Sequence, residues 1–503
     1  WPLEQLSASL LAELPETLQS DPPATASDEL LAAQQECGSR GMSWRVQRLL
    51  AQLLPFHHRE AKVAWWAYFD RRSKAELSPE ELIDDGEAIA EARWKSVEAR
   101  ASKLTGADYH TFAFDPAQPL KLSAGSGDRG LQLEIPSTGL KVSVESLDAE
   151  RGRVTLKLPW KKRDQRRAAG FSDGIPAGLS SLIKVPADIS ESLRESLLEQ
   201  ANCWLSGGQG LPKALLQLLE RQPVAELASL NEAICAEPDS VIGRLSAFLA
   251  GCGAAALALQ GPPGTGKSTV TAEVIAQLVA TGKRVAISSN SHAAINNLLR
   301  KAKATCTKQG SPDVVVKCSN SKSEEQLAGS GIPLVPAQAL TDQMAVVGGT
   351  TWMFCRDELS EQFDLLVIDE AGQMSLANLL VMARCAKTIL LVGDQQQLAQ
   401  PTQADHPGDS GLSCLEYLMQ GAHVVPADRG VFLATSWRME PSLTAMVSQL
   451  FYDGRLNANP ANASNAISWR QPCIGATGKA LPEQGLVFEA VEHNGCSVCS
   501  EAE

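Results

Sequence analysis

The chain has 503 residues, a formal net charge of −13 and 44% hydrophobic residues. These values are ordinary for a globular protein, and they exclude a collagen-like chain, a wholly disordered chain and a small disulfide scaffold. An acidic chain of this kind is not a general coat for nucleic acid, so any nucleic-acid binding must use a local basic patch.

The two chain ends and the cysteine pattern give expectations about the completeness of the chain and its cellular compartment. The sequence begins at Trp1, has no signal-peptide pattern and lacks the roughly 18 consecutive apolar residues of a membrane helix. Its 12 cysteines are scattered without a regular framework, which is typical of reduced thiols. We therefore expect a cytoplasmic protein without a membrane span, and a fragment cut at both ends from a longer chain.

Helical patterns dominate the first part of the chain. Residues 46–53 place apolar side chains at helical spacing, and Ser78-Pro79-Glu80 has the cap, proline and acid of a helix start. These patterns predict a mainly helical region over residues 1–103.

Alternating apolar and polar residues follow this region. Residues 131–135, 140–144 and 154–158 each alternate in the manner of half-buried strands. We predict a small antiparallel, barrel-like β unit over residues 104–185. Helical spacing then returns in a predicted stalk over residues 186–250.

Apolar strands alternate with helices from about residue 254 onward. This pattern predicts an α/β fold with a parallel sheet that is covered on both faces. The predicted strands are residues 255–260, 284–288, 314–317, 345–348, 365–368 and 388–392.

The strongest motif lies between the first of these strands and a predicted helix over residues 269–280. It fits the pattern G-x-x-x-x-G-K-[ST], in which glycines let backbone N–H groups turn toward a phosphate and the helix N-terminus adds positive potential. A turn that happens to contain glycines is the alternative, but the strand before it and the helix after it favour a nucleotide site. The predicted binding residues are Gly261, Pro262, Pro263, Gly264, Thr265, Gly266, Lys267, Ser268 and Thr269.

Two adjacent acids complete the predicted site for ATP and Mg²⁺. Asp369 and Glu370 follow a buried strand, at the sheet edge where α/β folds bind ligands. We predict that Lys267 bridges the terminal phosphates, that Ser268 and Asp369 hold Mg²⁺, and that Glu370 acts as general base. A solvated strand end is the commoner explanation for an isolated acid pair, whereas the phosphate loop favours the catalytic one.

Further motifs decide which class of nucleotide enzyme this sequence resembles. The chain reads Asp-Glu-Ala-Gly-Gln at 369–373, Gly-Asp-Gln-Gln-Gln-Leu at 393–398 and Ser-Trp-Arg-Met-Glu-Pro at 436–441. With the phosphate loop, this ordered set resembles the superfamily 1 helicases over about residues 255–460. It is most similar to the branch that holds the nonsense-mediated-decay helicase and the Okazaki-fragment nuclease–helicase.

The resemblance implies an architecture and two further site residues. It implies a RecA-like P-loop NTPase with a first motor lobe over residues 251–428 and the start of a truncated second lobe over residues 429–503. It implies that Gln397 senses the γ-phosphate and that Arg438 reaches this phosphate from the second lobe as an arginine finger. The last motifs of the family should lie beyond Glu503, so we expect this piece to hydrolyse ATP poorly on its own.

The same resemblance suggests contacts to a nucleic-acid strand and to the base of ATP. Residues 289–292 and 349–352 look like the segments that touch strand phosphates, and Trp352 has equal prospects of stacking on a base or of lying in the core. The glutamine with which this branch reads adenine has no counterpart in residues 230–253, while Gln260 lies directly at the loop.

The N-terminal region carries a narrower resemblance. Residues 54–60 and 64–70 look like bacterial fusions of a RecB-type nuclease to a helicase of this type, in which the nuclease comes first. Because its metal-binding carboxylate motif is not found here, we expect the region to be a linker that follows a missing nuclease. Trp65 and Trp66 are interpreted as buried packing residues.

One basic stretch is the candidate contact for single-stranded nucleic acid, with DNA favoured over RNA. Residues 151–167 hold eight Lys or Arg interleaved with Trp160. A solvated loop with the same charges is the alternative.

The predicted function is an ATP-driven 5′–3′ translocase or helicase within a nuclease–helicase, and the alternatives are an ATPase switch without unwinding and an inactive interaction fragment. The sequence does not determine the oligomeric state.

Overall fold

The computed structural model divides the chain into two compact units. The sheet unit comprises residues 1–56, 192–402 and 406–503, and the barrel unit comprises residues 57–191 and 403–405. The structure describes residues 2–14, 19, 35–37, 43–101, 106–122, 130–168, 175–176, 178–186, 190–205, 211–319, 324–466 and 480–486.

The elements of the described residues are as follows. The helices are α1 (Pro2–Ala12), α2 (Trp44–Leu53), α3 (Phe56–Leu77), α4 (Trp160–Ala168), α5 (Glu191–Leu205), α6 (Lys213–Leu219), α7 (Leu227–Ala236), α8 (Val241–Gly251), α9 (Lys267–Ala280), α10 (His292–Lys308), α11 (Thr351–Phe354), α12 (Leu376–Met382), α13 (Cys414–Met419) and α14 (Pro441–Phe451). The strands are β1 (Ala88–Ala101), β2 (Gly106–Ala113), β3 (Gln132–Ile135), β4 (Leu140–Asp148), β5 (Arg153–Pro159), β6 (Leu179–Lys184), β7 (Ala256–Gln260), β8 (Val285–Ser288), β9 (Val315–Cys318), β10 (Leu334–Val335), β11 (Val346–Gly348), β12 (Phe363–Ile368), β13 (Ala386–Gly393), β14 (Gly430–Phe432), β15 (Thr435–Ser436) and β16 (Asn457–Ala458).

The predicted β unit is a closed antiparallel barrel with the strand order β1-β2-β5-β4-β3-β6. Its first strand corrects the prediction that residues 1–103 are helical, since β1 already begins at Ala88. Alanine, glutamate, lysine and arginine give this segment a helical composition. Pairing with β2 and β6 overrides this preference and buries Ile89 and Ala92 in the barrel.

Helix α3 is attached to the barrel through a buried carboxylate. Glu134 on β3 is 1% exposed and accepts a hydrogen bond from the Tyr68 hydroxyl of α3. The guanidinium of Arg72 and the ammonium of Lys141 lie 3.6 and 3.7 Å from its carboxylate oxygens. Burial and the neighbouring carboxylate raise the pKa of Tyr68 to about 12. The barrel unit therefore neutralises its buried acid internally.

The aromatic pair on α3 is only partly a packing pair. Trp65 packs against the cluster around Tyr68, as predicted. The Trp66 side chain is 70% exposed, which corrects the prediction that both rings are buried. Adjacent residues point to different sides of a helix, so one packed tryptophan leaves its neighbour in solvent.

The sheet unit confirms the predicted α/β fold. Eight strands form one parallel sheet in the order β10-β9-β11-β8-β12-β13-β7-β14. Alternate residues of its strands enter two separate cores: Leu366 and Ile368 pack on one face, and Leu365 and Val367 on the other. Burial on both faces explains why the strands have uninterrupted apolar sequences.

The end of the chain departs from the predicted lobe boundary at residue 428. Strand β14 follows this boundary but pairs with β7 in the first sheet. The described residues after it, 433–466 and 480–486, belong to the same compact unit, with a two-stranded sheet of β15 and β16. The remainder of the predicted second lobe, residues 467–479 and 487–503, lies outside the described residues. Within the described part of the chain, no helix combines the length and apolarity required to cross a membrane.

Candidate active site

The predicted phosphate loop connects the buried end of β7 to the first residue of α9. Thr265 folds back on the loop, with its backbone N–H and its hydroxyl both donating to the Pro262 carbonyl at 3.2 and 2.8 Å. Gly266 precedes the helix with a φ of 81°, a left-handed conformation that favours glycine. The Gly261 N–H donates to the Gly393 carbonyl at 3.1 Å, so the loop starts beside the end of β13.

Gly264 lies against the segment that carries Arg438. The backbone N–H of Trp437 donates to the Gly264 carbonyl at 2.8 Å. A Cβ on Gly264 would lie 2.4 Å from the Cβ of Arg438, and its φ of 79° is also left-handed. Only glycine therefore fits at this position. Pro263 accepts a hydrogen bond from the Ser436 hydroxyl at 3.4 Å, which adds a second contact between the two segments.

Lys267, Ser268 and Thr269 form the first turn of α9. Lys267 and Ser268 are half-buried, whereas Thr269 is exposed. The Lys267 ammonium donates to the Gly261 carbonyl at 2.5 Å. Burial lowers the pKa of Lys267, and the charges of three nearby acids act in the opposite direction. These acids are Asp394, Glu370 and Asp369.

Asp369 is a strongly desolvated acid of this edge. It follows the end of β12, is 4% exposed, and its backbone N–H donates to the Ser288 carbonyl of β8. Burial, reinforced by the neighbouring charge of Glu370, raises its pKa to about 6. The Glu370 N–H donates to its carboxylate at 3.1 Å. A buried carboxylate that is costly to ionise fits a position beside a bound cation.

The sequence reasoning missed the central role of Asp394. This residue follows β13, is 3% exposed and exerts the largest favourable charge effect on Lys267. Its carboxylate accepts hydrogen bonds from the Gln397 amide at 3.0 Å and from the Tyr452 hydroxyl at 2.7 Å. It thereby joins the sheet edge to the segment after α14. The available signal was an apolar strand ending in Gly-Asp, the same strand-then-acid pattern that identified Asp369.

Two glutamines near the site are held by hydrogen bonds within the protein. Gln397 is exposed and donates to Asp394, so its side chain is held at the site edge. Gln260 is fully buried, and its amide binds the Val425 N–H, the His423 carbonyl and the Gln395 side chain. Gln260 therefore fixes the strand end and does not face a nucleotide base.

The predicted catalytic groups thus converge at one edge of the sheet. Lys267 experiences the charges of both predicted acids, and the charge of Arg438 lowers its pKa. Arg438 is exposed beside the phosphate loop. It lies in the same compact unit as the loop, whereas the sequence predicted an approach from a separate lobe.

Known proteins are similar to this chain over part of its length. The family described as AAA domain matches residues 245–406. The chain is 30% identical to DNA replication ATP-dependent helicase/nuclease DNA2 of Gallus gallus, over 41% of this chain and 21% of that protein. It is 27% identical to DNA-binding protein SMUBP-2 of Rattus norvegicus, over 42% of this chain and 26% of that protein. This part of the chain is homologous to the superfamily 1 helicases.

The chain spans about a fifth to a quarter of the length of these two relatives. Among solved structures, it is similar to the arterivirus nonstructural protein 10 helicase, with a TM-score of 0.33 and 12% identity. That similarity covers 73% of this chain and 60% of the viral chain.

Of the two segments suggested for strand contact in such a helicase, one offers unused polar groups. The Ser289 hydroxyl is buried and has no hydrogen-bond partner among the described residues, and the same holds for the preceding Ser288 at the end of β8. His292 begins α10, and its Nδ1 lies 2.9 Å from the ammonium of the fully buried Lys317. In the other segment, Trp352 packs partly buried against the core, which favours the packing role.

The basic stretch of the barrel unit is partly used internally. Trp160 donates through its indole N–H to Asp108 at 2.8 Å, and Arg163 binds the other oxygen of that carboxylate at 2.8 Å. Lys162 donates to the Lys141 carbonyl. The stretch comprises a turn, the whole of strand β5 and most of helix α4, which corrects the alternative of a solvated loop. The side chains of Arg166 and Arg167 lie outside the described residues.

Proposed function

We propose that this chain is the ATP-binding part of a translocase or helicase that moves along single-stranded nucleic acid. The observation that carries the proposal is the convergence of Lys267, Asp369 and Glu370 at one edge of a parallel sheet. Homology to proteins named as DNA helicases supports DNA as the strand. By the same resemblance, we propose 5′–3′ movement within a larger nuclease–helicase.

The residues of the loop would bind the phosphates of ATP. Lys267 would exchange its bond to the Gly261 carbonyl for phosphate oxygens, since an ammonium gains more from a charged acceptor than from a carbonyl. Ser268 and Asp369 would hold Mg²⁺, which would neutralise charge on the transferred phosphoryl group. The raised pKa of Asp369 fits this role, because a carboxylate short of positive charge gains most from a cation.

The remaining groups would act on the attacking water and on the phosphate charge. Glu370 would accept a proton from that water as general base. Arg438 would stabilise the charge that develops on the γ-phosphate. The hydrogen bonds of Asp394 to Gln397 and Tyr452 would couple this site to the segment after α14. A change in the bound nucleotide would thereby alter how the protein binds the nucleic-acid strand.

Hydrolysis of ATP by the full-length protein, with and without single-stranded DNA or RNA, tests this function. Strand-stimulated hydrolysis that disappears in Lys267→Ala supports the translocase. Hydrolysis that is indifferent to both nucleic acids would support an ATPase switch, and no hydrolysis at all would support an interaction fragment. The ratio of DNA to RNA stimulation tests the proposed preference for DNA, and fluorescent strands with labelled 5′ or 3′ ends test the direction.

A further inference from the structure

A fully buried lysine lies on β9, beside the first residue of α10. The Lys317 side chain is 0% exposed. Its ammonium lies 2.6 Å from a carboxylate oxygen of Glu324, 2.7 Å from the side-chain oxygen of Asn296 and 2.9 Å from Nδ1 of His292. An ammonium carries three N–H donors and no acceptor. These three partners therefore use all the donors of the group.

This arrangement determines the tautomer of His292. Because the Lys317 ammonium can only donate, the Nδ1 atom of the ring must accept and carries no proton. The other carboxylate oxygen of Glu324 lies 4.0 Å from the same nitrogen, which is beyond hydrogen-bond distance. The proton of the neutral ring is therefore on Nε2.

The Nε2–H donor of His292 is open to a ligand. The side chain is 61% exposed, and no hydrogen bond within the described part of the chain uses Nε2. Burial of the rest of the ring and the charge of Lys317 lower the pKa of His292, and the charge of Glu324 acts in the opposite direction. The ring is therefore an uncharged donor at neutral pH.

The surroundings of this donor fit an oxygen of a phosphate group. His292 is the first residue of α10, whose N-terminus adds positive potential. It follows β8, whose end lies beside Asp369 at the carboxyl edge of the sheet. The Ser289 hydroxyl of the same segment is buried and has no hydrogen-bond partner among the described residues. An imidazole N–H and a hydroxyl thus lie unused in one short segment.

We propose that Lys317 is a positioning residue, which holds His292 as the neutral Nε2–H tautomer and thereby presents this N–H to a phosphate oxygen of the nucleic-acid strand. The inference deepens the proposed strand-binding function and rests on it. The contact is a hydrogen bond from an uncharged group. It therefore adds affinity without the release of a counterion that a lysine or arginine contact causes.

NMR spectroscopy of this chain with ¹⁵N-labelled histidine tests the positioning role. The signals of His292 are assigned by their loss in His292→Gln. We expect the neutral ring to carry its proton on Nε2, and to become half-protonated below its ordinary pKa of 6.5. A proton on Nδ1 of the neutral ring, or half-protonation at or above pH 6.5, would overturn the proposal.

A second histidine provides the matched comparison in the same spectra. The His423 side chain is 53% exposed, and its Nδ1 lies 3.2 Å from the carboxylate of Asp453. A carboxylate accepts where an ammonium donates, so this ring should carry its proton on Nδ1. The two rings should therefore give opposite tautomer signatures.

The variant Lys317→Met tests the cause of the tautomer. Without the ammonium, Glu324 faces the ring unopposed, so His292 should become half-protonated at a higher pH than in wild type. Unchanged protonation of His292 in the folded variant would overturn the role of Lys317. The wild-type spectrum decides the proposal where this variant does not fold.

Fluorescence anisotropy of the full-length protein with a labelled oligo-dT strand at pH 7.5 tests the phosphate contact. His292→Phe should bind at least about fivefold more weakly, whereas His292→Gln, whose amide N–H can replace Nε2–H, should keep most of the affinity. The slope of log affinity against log salt should stay the same in His292→Phe, since no ionic contact is lost. His423→Phe should leave affinity and slope unchanged.

The outcomes separate this inference from the function on which it rests. Strand binding by wild type with equal affinity in His292→Phe would overturn the inference and leave the proposed function standing. A slope reduced by about 0.7 in His292→Phe would show a charged contact and would also overturn it. Absence of strand binding by wild type would overturn the proposed function and the inference together.

Discussion

The two units of this chain treat a buried carboxylate in opposite ways. In the barrel unit, Glu134 is surrounded by the Tyr68 hydroxyl and by two cationic side chains, and it attaches a helix to the barrel. In the sheet unit, Asp369 is similarly buried but keeps a pKa of about 6. A carboxylate whose charge the fold pairs with cations is structural, whereas one left costly to ionise is available for a cation. Burial alone therefore does not identify a functional acid.

The largest expected effect concerns the acid that acts on water. Glu370→Gln removes the predicted general base while preserving the size of the side chain. We expect the full-length protein to lose about 10²–10⁴-fold in strand-stimulated ATP hydrolysis while still binding nucleotide. The parallel change Glu134→Gln in the barrel should leave the hydrolysis rate of the folded fraction unaltered. Equal rates for Glu370→Gln and wild type would remove this residue from the mechanism.

The next effect concerns the structural acid. Glu134→Leu leaves the Tyr68 hydroxyl without its acceptor and two cations without their partner. We expect the free energy of unfolding to fall by about 3 kcal/mol, measured by urea denaturation. Glu145→Leu, at an exposed position of neighbouring β4, should change it by less than about 0.5 kcal/mol. Similar losses in both variants would show that Glu134 is not a specific anchor.

Asp369→Asn should have the opposite effect on stability and should raise the free energy of unfolding. Because the folded state raises the pKa of Asp369 from its ordinary 3.8 to about 6, the folded chain binds this proton more tightly than the unfolded chain. Its contribution to stability is complete below about pH 4 and is lost as the pH rises through about 6. The variant should therefore be more stable than wild type by about 2–3 kcal/mol at pH 8, with little difference near pH 4.

Urea denaturation at both pH values, without nucleotide or Mg²⁺, measures this difference. Asp313→Asn changes a side chain that is 97% exposed, and serves as the matched control with little expected effect at either pH. Destabilisation of Asp369→Asn at pH 8 would mean that the protein already compensates the charge of this carboxylate, as it does for Glu134.

The smallest effect concerns the bond between Tyr452 and Asp394. Tyr452→Phe removes a hydroxyl that donates to a buried carboxylate at 2.7 Å. We expect a loss of about 1.5 kcal/mol in the free energy of unfolding, since hydrogen bonds to charged groups are worth about 1.5–3 kcal/mol. Tyr109→Phe, on the half-buried barrel strand β2, provides the comparison. An equal response of both variants would contradict the role of Asp394 as a junction.

The fold was most predictable from the sequence where a single physical cause determines the local structure. Six strands of the sheet were predictable because burial on both faces demands apolar runs, as at 365–368 and 388–392. The very short strands β10 and β14 were missed, since two or three residues give no periodic signal. Strand β1 was missed because its composition favours a helix and only its pairing with β2 and β6 makes it a strand.

The site was predictable to the extent that its residues are adjacent in sequence. The phosphate loop and the pair Asp369–Glu370 are local patterns that reflect local chemistry. The bond from Tyr452 to Asp394 joins residues far apart in the chain, and no spacing rule could have revealed it. The contact of Arg438 with Gly264 is equally non-local, and only the fold shows that these two segments touch.

The central claim is that the sheet edge around Lys267 is a binding site for Mg²⁺ and ATP. Calorimetric titration of this chain with a non-hydrolysable ATP analogue and Mg²⁺ at pH 7.5 tests it most directly, with Lys308→Ala as a control on an exposed lysine of α10. We expect saturable binding to wild type and to Lys308→Ala, and at least about tenfold weaker binding to Lys267→Ala. Equal affinity of all three proteins, or no binding to wild type, would contradict the account.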